Sequence, residues 1–281
     1  MKERFIKQVL KRFISRKSPR ISLIVVLLLI LLSFVGPFFL PYAPDEINVD
    51  AILLPPSLSH WFGTDALGRD VFTRVVYGGR VSLLVGFVAE GIAILIGVIL
   101  GSISGYFGGR IDNIIMRFAD IMLCFPTFFL ILSIIAFVEP NIWNIMIVIG
   151  LTGWMQIARL VRGEFLTLRE REFVLYEKVL GNSSFNIILK HILPNALNPV
   201  IISAAFGIAG AILTESALSF LGLGVQPPVA SWGNILTSGK DMMEVGWWLT
   251  LFPGLFIFIS VLCYNLIGEG LKDALNPKHY E

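Results

Sequence analysis

Residue types that build disulfides and metal sites are scarce in this 281-residue chain, which has two cysteines and three histidines. Cys124 and Cys263 fall inside apolar runs, which predicts that both thiols are buried as small hydrophobic groups. His60, His191 and His279 are too scattered to match the spacing of metal ligands. This scarcity argues against a disulfide scaffold and against a metal site.

Charge is scarce as well. Only 15% of the residues are charged and 56% are hydrophobic, which is far from the mixture found in a soluble domain. The 22 Lys and Arg residues nearly balance the 20 Asp and Glu residues, so there is no basic excess to attract nucleic acid. The composition therefore predicts an all-α integral membrane protein surrounded by the lipid bilayer.

Six apolar runs are each long enough to cross a hydrocarbon core of about 30 Å as a helix. The predicted spans are residues 21–40, 81–105, 118–138, 140–158, 192–217 and 245–268. Segments 1–20, 110–117, 159–191 and 269–281 together hold 18 of the 22 Lys and Arg residues. The positive-inside rule therefore places both termini in the cytoplasm and segment 41–80 outside.

A polar interlude from Glu170 to Pro194 separates the fourth and fifth predicted spans. Phe173, Tyr176 and Leu180 follow one another at i, i+3 and i+7, which predicts a helix with one apolar face. Gly181 then occupies the position just past a helix end, where glycine is favoured.

A second short helix is predicted after that glycine. Ser183 or Ser184 can cap it, and Phe185, Ile188 and Ile192 repeat the apolar spacing before the proline that ends the interlude. The pattern predicts a compact helix–turn–helix knob, which the charge distribution places on the cytoplasmic side.

Small and acidic residues inside the spans predict helix contacts. Gly97, Gly101 and Gly105 share one face of the second span, where small residues let another helix approach closely. An acid within a span usually faces a partner or a water-filled cavity. We expect Asp120 to pair with Arg117, three residues earlier.

Two further acids leave their role open. Glu90 lies within the second span, and Glu215 lies toward the outer end of the fifth. Each either has a buried partner or lines a water-filled path. In the outside segment, Asp65, Asp70 and nearby arginines predict ion pairs, either within a folded loop that orients the second span or on a docking surface.

Neither a catalytic set nor a nucleotide site is present in the sequence, so no enzymatic activity is expected. The stretch from Gly233 to Asp241 has five residues between its glycines where a phosphate-binding P-loop needs four. Asp241 also replaces the Ser or Thr that would bind magnesium. A transporter driven by ATP would therefore need its ATPase on a separate chain.

Four blocks of sequence resemble the integral-membrane permease subunits of bacterial ABC importers of the dipeptide, oligopeptide and nickel family. They read FGTDALGRDV at 62–71 with YGGRVSL at 77–83, GYFGG at 105–109 with MRFAD at 116–120, ARLVRGE at 158–164 with HILPN at 191–195, and ESALSFLGLGVQPP at 215–228 with SWGN at 231–234. The short segment between the first two spans is similar to the second, C-type permease chain.

This resemblance implies the type I fold of ABC importer permeases in the bacterial cytoplasmic membrane. Its six transmembrane helices comprise a first helix at 21–40 and a five-helix core at 81–268, with a cytoplasmic coupling helix in segment 166–194. The implied partners are a homologous permease chain, two ATP-binding subunits that bind ATP and magnesium, and an extracytoplasmic solute-binding protein. The permease itself needs no cofactor. The implied solutes are di- and oligopeptides, or alternatively nickel or a nickel chelate.

The resemblance also implies roles for particular residues. The family pattern Glu-Ala-Ala, three residues, Gly, aligned on Gly181, puts Leu175, Tyr176 and Glu177 at its first three positions, so the expected acid and both alanines are replaced. We hypothesise that Leu175 and Tyr176 dock by apolar burial instead. The ATPase-coupling candidates are Glu172, Leu175, Tyr176, Glu177, Gly181, Asn182, Ile188, His191 and Pro194. The pore or gate candidates are Glu90, Glu215, Ser219 and Phe220.

Two other classes of function are weighed against the importer. A secondary transporter would use buried acids as ion relays within inverted repeats, and the sequence has no convincing repeat. Uptake that persists without ATP and collapses with a proton ionophore would favour that class. A purely structural membrane anchor predicts that a bulky residue at position 181 leaves uptake unchanged.

Overall fold

The computed structural model describes residues 2–139 and 141–275, and this part of the chain is helical, with no β-strand. The helices are α1 Lys2–Ser15, α2 Lys17–Val35, α3 Val71–Phe107, α4 Gly109–Leu123, α5 Thr127–Ile135, α6 Ile142–Leu168, α7 Glu172–Val179, α8 Ser184–Asn186, α9 Leu193–Phe220, α10 Trp232–Gly239 and α11 Trp248–Leu275. Short 3-10 helices cover Gly36–Phe39, Val49–Ala51 and Lys240–Met242, and a π-helix covers Ile187–Ile192. Pro140, which begins the predicted fourth span, and residues 276–281 of the predicted tail, with His279, lie outside the described residues.

Five helical stretches of the described chain are long and apolar enough to cross a membrane, and a bent pair makes a sixth candidate. Four of the stretches contain α2, α3, α6 and α11, and the fifth runs from α8 through α9. The bent pair is α4 and α5, which meet at 84°. The prediction of one continuous span over 118–138 is therefore wrong: Pro126 lacks an N–H and disfavours helical geometry at Phe125. The prediction that Cys124 is buried is also wrong, because this residue lies exposed at the break, whereas Cys263 is buried as predicted.

Helix α3 begins ten residues before the predicted second span, at Val71. The Asp70 carboxylate starts it by accepting a hydrogen bond from the backbone N–H of Thr73 at 2.8 Å. The preceding loop folds on itself through ion pairs, as predicted for Asp65, whose carboxylate accepts from Arg69 at 2.7 Å. Asp70 instead forms a hydrogen bond with His60, between a carboxylate oxygen and the Nδ1 atom at 2.9 Å, so the predicted pairing of Asp70 with an arginine is not found among the described residues. The loop before α3 therefore fixes the start and direction of this helix.

The glycine face of α3 packs against α6, as the sequence predicts. A Cβ atom on Gly101 would lie 2.5 Å from the carbonyl oxygen of Ala158, and one on Gly105 would lie 2.5 Å from the Cβ atom of Phe165. A Cβ atom on Gly97 would lie 2.6 Å from the Cβ atom of Ile157, also on α6. Only glycine permits so close an approach of the two backbones, and the contact makes α3 and α6 the central pair of the bundle.

The other long helices pack around this pair. Helix α9 contacts α3, α6 and α11, and α2 packs against α11 and α3. Asp120 on α4 pairs with Arg159 on α6, so the prediction of a pair with Arg117 is wrong. The partner of Asp120 comes from another helix, and this ion pair links α4 to the central helices α3 and α6.

Candidate functional site

The polar interlude contains the turn and the cap that its sequence predicts. Gly181 has φ of +79°, in the left-handed region that glycine enters without strain. Its N–H donates to the carbonyl oxygen of Lys178 at 3.1 Å, which closes the end of α7. Ser183 then caps α8, because its hydroxyl oxygen accepts from the backbone N–H of Asn186.

The second helix of the interlude continues past Pro194 into the fifth predicted span. Helix α8 continues through the π-helix Ile187–Ile192 into α9, and Pro194 lies in the first turn of α9. Proline is tolerated in a first turn because the missing N–H would have no helical partner there. The knob is therefore joined to α9 by continuous helical backbone.

The apolar face predicted for α7 points away from the bundle. Phe173 is 43% exposed, Tyr176 63% and Leu180 58%. The residue that anchors α7 is Val174, which is fully buried in a hydrophobic cluster with residues that include Ile187 of the π-helix. Sequence spacing identified an apolar face but not the residue that anchors it, because Val174 is a lone valine between exposed neighbours.

Three of the coupling candidates are brought together on the knob. The Glu177 carboxylate accepts a hydrogen bond from the side-chain amide of Asn182 and lies 3.7 Å from the His191 imidazole. Ile188 is half-buried against the same cluster as Val174. Glu172 and Leu175 lie on the exposed surface. Glu177, Asn182 and His191 therefore lie together at the turn, while Glu172, Leu175 and Tyr176 form its exposed surface.

A cleft of about 320 Å³ lies among α3, α5, α6 and α9. Its lining is largely apolar, with a few polar side chains: Glu90, Thr127, Thr152, Gln156, Ser203 and Thr214. Glu90, predicted as a pore candidate, is the acid among the lining residues, and its side chain is 8% exposed. A charged residue near the centre of a membrane-spanning helix costs about 2.5–3.5 kcal/mol to insert.

Glu215 does not line this cleft. Its side chain is fully buried, and its carboxylate accepts hydrogen bonds from the hydroxyls of Ser82 on α3, at 3.2 Å, and of Ser219, at 2.7 Å. Ser219 in turn accepts from the backbone N–H of Val225, and Ser82 accepts from that of Trp232. The carboxylate therefore ties α9 to α3 and to the start of α10.

Phe220 completes the predicted gate residues. It is the last residue of α9, and the Lys240 ammonium nitrogen lies 5.4 Å from the centre of its ring. The stretch rejected above as a phosphate loop folds mostly as α10. Glu215, Ser219 and Phe220 all lie in the last turns of α9. A gating role for them stays a prediction.

We expect Glu215→Ala to lower the thermal unfolding midpoint of the chain in detergent. The substitution leaves the buried hydroxyls of Ser82 and Ser219 without their acceptor, at a cost of about 1–3 kcal/mol. Glu269→Ala is the matched control, because Glu269 is an exposed acid on α11. Equal midpoints for the two variants would contradict this account of Glu215.

The sequence did not single out several residues of these sites. Gln156 and Ser203 are polar residues within predicted spans, which is the signal that could have identified them. Gly207 also lines the cleft, and an isolated glycine in an apolar run carries no such signal.

Comparison with known proteins decides the family. A sequence model of the family described as "Binding-protein-dependent transport system inner membrane component" matches residues 97–279. The chain belongs to this family of transport permeases. A second model, described as "N-terminal TM domain of oligopeptide transport permease C", matches residues 4–56 of the permease. The resemblance to the C-type permease chain, inferred from the short segment between the first two spans, is confirmed, and the permease is a multi-pass protein of the bacterial inner membrane.

Individual relatives cover nearly the whole permease. It is 43% identical to the oligopeptide transport system permease protein OppC of Haemophilus influenzae, over 95% of this chain and 87% of that protein. It is 41% identical to the dipeptide transport system permease protein DppC of Bacillus subtilis, over 95% of this chain and 84% of that protein. It is also 41% identical to the oligopeptide transport system permease protein OppC of Escherichia coli, over 95% of this chain and 89% of that protein.

A solved structure supports the predicted fold. The inward-facing MetNI methionine ABC transporter contains a chain that superposes on this permease with a TM-score of 0.57. The match covers 72% of this chain and 97% of that chain, at 16% sequence identity. The prediction of an all-α ABC importer permease fold is therefore confirmed.

Proposed function

We propose that this permease forms half of the translocation pore of an ATP-driven importer of di- and oligopeptides. The observation that carries the proposal is the exposed apolar side of α7, with Tyr176 and Leu175, on a knob that Val174 anchors to the bundle. Exposed apolar patches on an ordered element are typical of protein interfaces. The family is one of transport components, and the sequence has no nucleotide-binding motif. An ATPase on a separate chain is therefore the partner that we propose for this surface.

The assembly we propose contains a homologous permease chain, two ATP-binding subunits and an extracytoplasmic solute-binding protein, with both termini of this chain in the cytoplasm. ATP and magnesium belong to the ATPase subunits. Closure of the ATPase pair would move the knob, and the continuous backbone from α8 into α9 would transmit this movement to the cleft wall. The bundle then alternates between two states that its partners favour in turn.

Peptides are the solutes that the relatives support. The relatives named above are described as oligopeptide or dipeptide permeases, and their identity of at least 41% extends over 95% of this chain. The nickel alternative is not favoured, because none of these descriptions refers to nickel. The cleft, with apolar walls and a few polar side chains, suits a solute of mixed character.

The test is uptake of a labelled tripeptide by proteoliposomes that contain this permease, the homologous chain, both ATPase subunits and the solute-binding protein. We expect uptake only when ATP is present on the ATPase side, and none when the binding protein is omitted. Uptake that continues without ATP and collapses with a proton ionophore would instead identify a secondary transporter.

A further inference from the structure

Glu90 lies in the middle of α3, as the twentieth of its 37 residues. Five acidic side chains are buried among the described residues, and four of them accept hydrogen bonds: Asp65, Asp70, Asp112 and Glu215. In this part of the chain the Glu90 carboxylate has neither a hydrogen-bond donor nor a cationic partner. A buried carboxylate without a partner is unfavourable, so a cationic partner from outside the chain would stabilise the charged form of Glu90.

The structure makes room for this carboxylate at one position of the facing helix. A Cβ atom on Gly207 of α9 would lie 2.0 Å from the Glu90 Oε2 atom and 2.4 Å from Oε1. Only a residue without a side chain leaves this notch free. The carboxylate therefore lies against bare backbone of α9 at the wall of the cleft.

The chemistry of the cleft favours a cationic group on the solute. No Lys, Arg or His side chain is among the described residues that line it, so Glu90 faces no competing positive charge. The lining side chains Thr127, Thr152 and Ser203 carry hydroxyl oxygens that can accept hydrogen bonds from an ammonium group. Apolar walls such as Ile131 and Met155 remain for the rest of the solute.

We propose that the Glu90 carboxylate binds the α-ammonium group of a peptide in transit through the cleft. This inference rests on the proposed function, because it takes the solute to be a peptide. The α-ammonium group is common to peptides of every sequence, so a contact with it holds the peptide without selecting its side chains. The ammonium also supplies the hydrogen-bond donor that Glu90 lacks, and a hydrogen bond between charged groups is stronger than one between neutral groups.

A zero-length cross-link tests the contact on the unsubstituted transporter. In the assembled transporter during ATP-driven uptake, a membrane-permeant carbodiimide activates carboxyl groups, and a primary amine in contact with one forms an amide as the carbodiimide becomes a urea. With isotope-labelled trialanine, we expect mass spectrometry to find the peptide attached to Glu90. N-acetyl-trialanine has no amine and should leave Glu90 without an adduct.

A pair of variants tests the consequence for transport. Glu90→Gln keeps the shape that fills the notch at Gly207 but removes the charge, and we expect it to slow initial trialanine uptake about tenfold. Glu269→Gln removes an exposed carboxylate from α11, outside the cleft, and should retain both the uptake rate and the adduct on Glu90. Gly207→Ala retains the carboxylate but occupies its notch, and should reduce the yield of the adduct.

Active trialanine uptake without an adduct on Glu90, or equal uptake by Glu90→Gln and the unsubstituted transporter, would overturn this inference and leave the proposed function intact. If the unsubstituted transporter takes up no peptide at all, the proposed function falls, and the inference falls with it.

Discussion

Tyr176→Asp is expected to uncouple ATP hydrolysis from solute uptake, with uptake reduced at least about tenfold. Docking that buries an aromatic side chain contributes about 1.5–3 kcal/mol, and an aspartate in the same place would be an unpaired buried charge. Tyr176 is 63% exposed, so its replacement leaves the anchor at Val174 intact. The measurement is peptide uptake and ATP hydrolysis by the same proteoliposomes.

Tyr176→Phe is the matched control, because it retains the ring and the apolar surface of α7. We expect it to transport at close to the unsubstituted rate. Leu175, at the position where the family pattern has glutamate, is 47% exposed on the same helix, so apolar docking predicts a loss for Leu175→Asp as well. A Tyr176→Asp transporter that assembles and takes up peptide at the unsubstituted rate would contradict the proposed docking surface.

Gly101→Leu is expected to prevent α3 and α6 from packing. A Cβ atom alone would lie 2.5 Å from the Ala158 carbonyl oxygen, which is backbone and cannot rotate away. Overpacking in a tight core costs about 1–3 kcal/mol and occasionally more, and a leucine adds three further carbon atoms at this contact. The expected result is a large fall in the thermal midpoint, or in the yield of monodisperse protein, measured in detergent.

Gly91→Leu provides the control on the same helix. A Cβ atom on Gly91 has no neighbouring atom within 4 Å, so the leucine there enters open space. Its midpoint should stay close to that of the unsubstituted chain. If the two leucine variants unfold at the same temperature, close packing of α3 on α6 is not what stabilises the bundle.

The length of each apolar run was enough to predict most of the membrane helices. The exception is the third run, where α4 and α5 meet at 84°. Pro126 is the signal for this break, but a count of apolar residues does not register it. The early start of α3 also has a signal in the sequence, because Asp70 directly precedes its first residue and caps it.

In the knob, some features depend on neighbouring residues of the sequence and others on residues far along the chain. Gly181 and Ser183 act through their own backbone neighbourhood, and both could be identified from the sequence. Which side of α7 faces the bundle depends on residues far along the chain, such as Ile192, which shares the buried cluster with Val174. A short helix with apolar residues on several sides gives no local indication of which side will be buried.

By itself, the sequence determined that this protein is a helical membrane protein, because span length, charge distribution and glycine spacing act locally and survive any arrangement of the helices. Its likeness to known permeases, and not these local patterns, identified it as a permease. Only the tertiary structure distinguished the surroundings of Glu90 from those of Glu215. Both are single acids within apolar runs, but Ser82, 133 residues away, donates to Glu215, whereas Glu90 meets the bare backbone at Gly207. The partners of a buried charge come from other helices, so its role depends on how the helices pack.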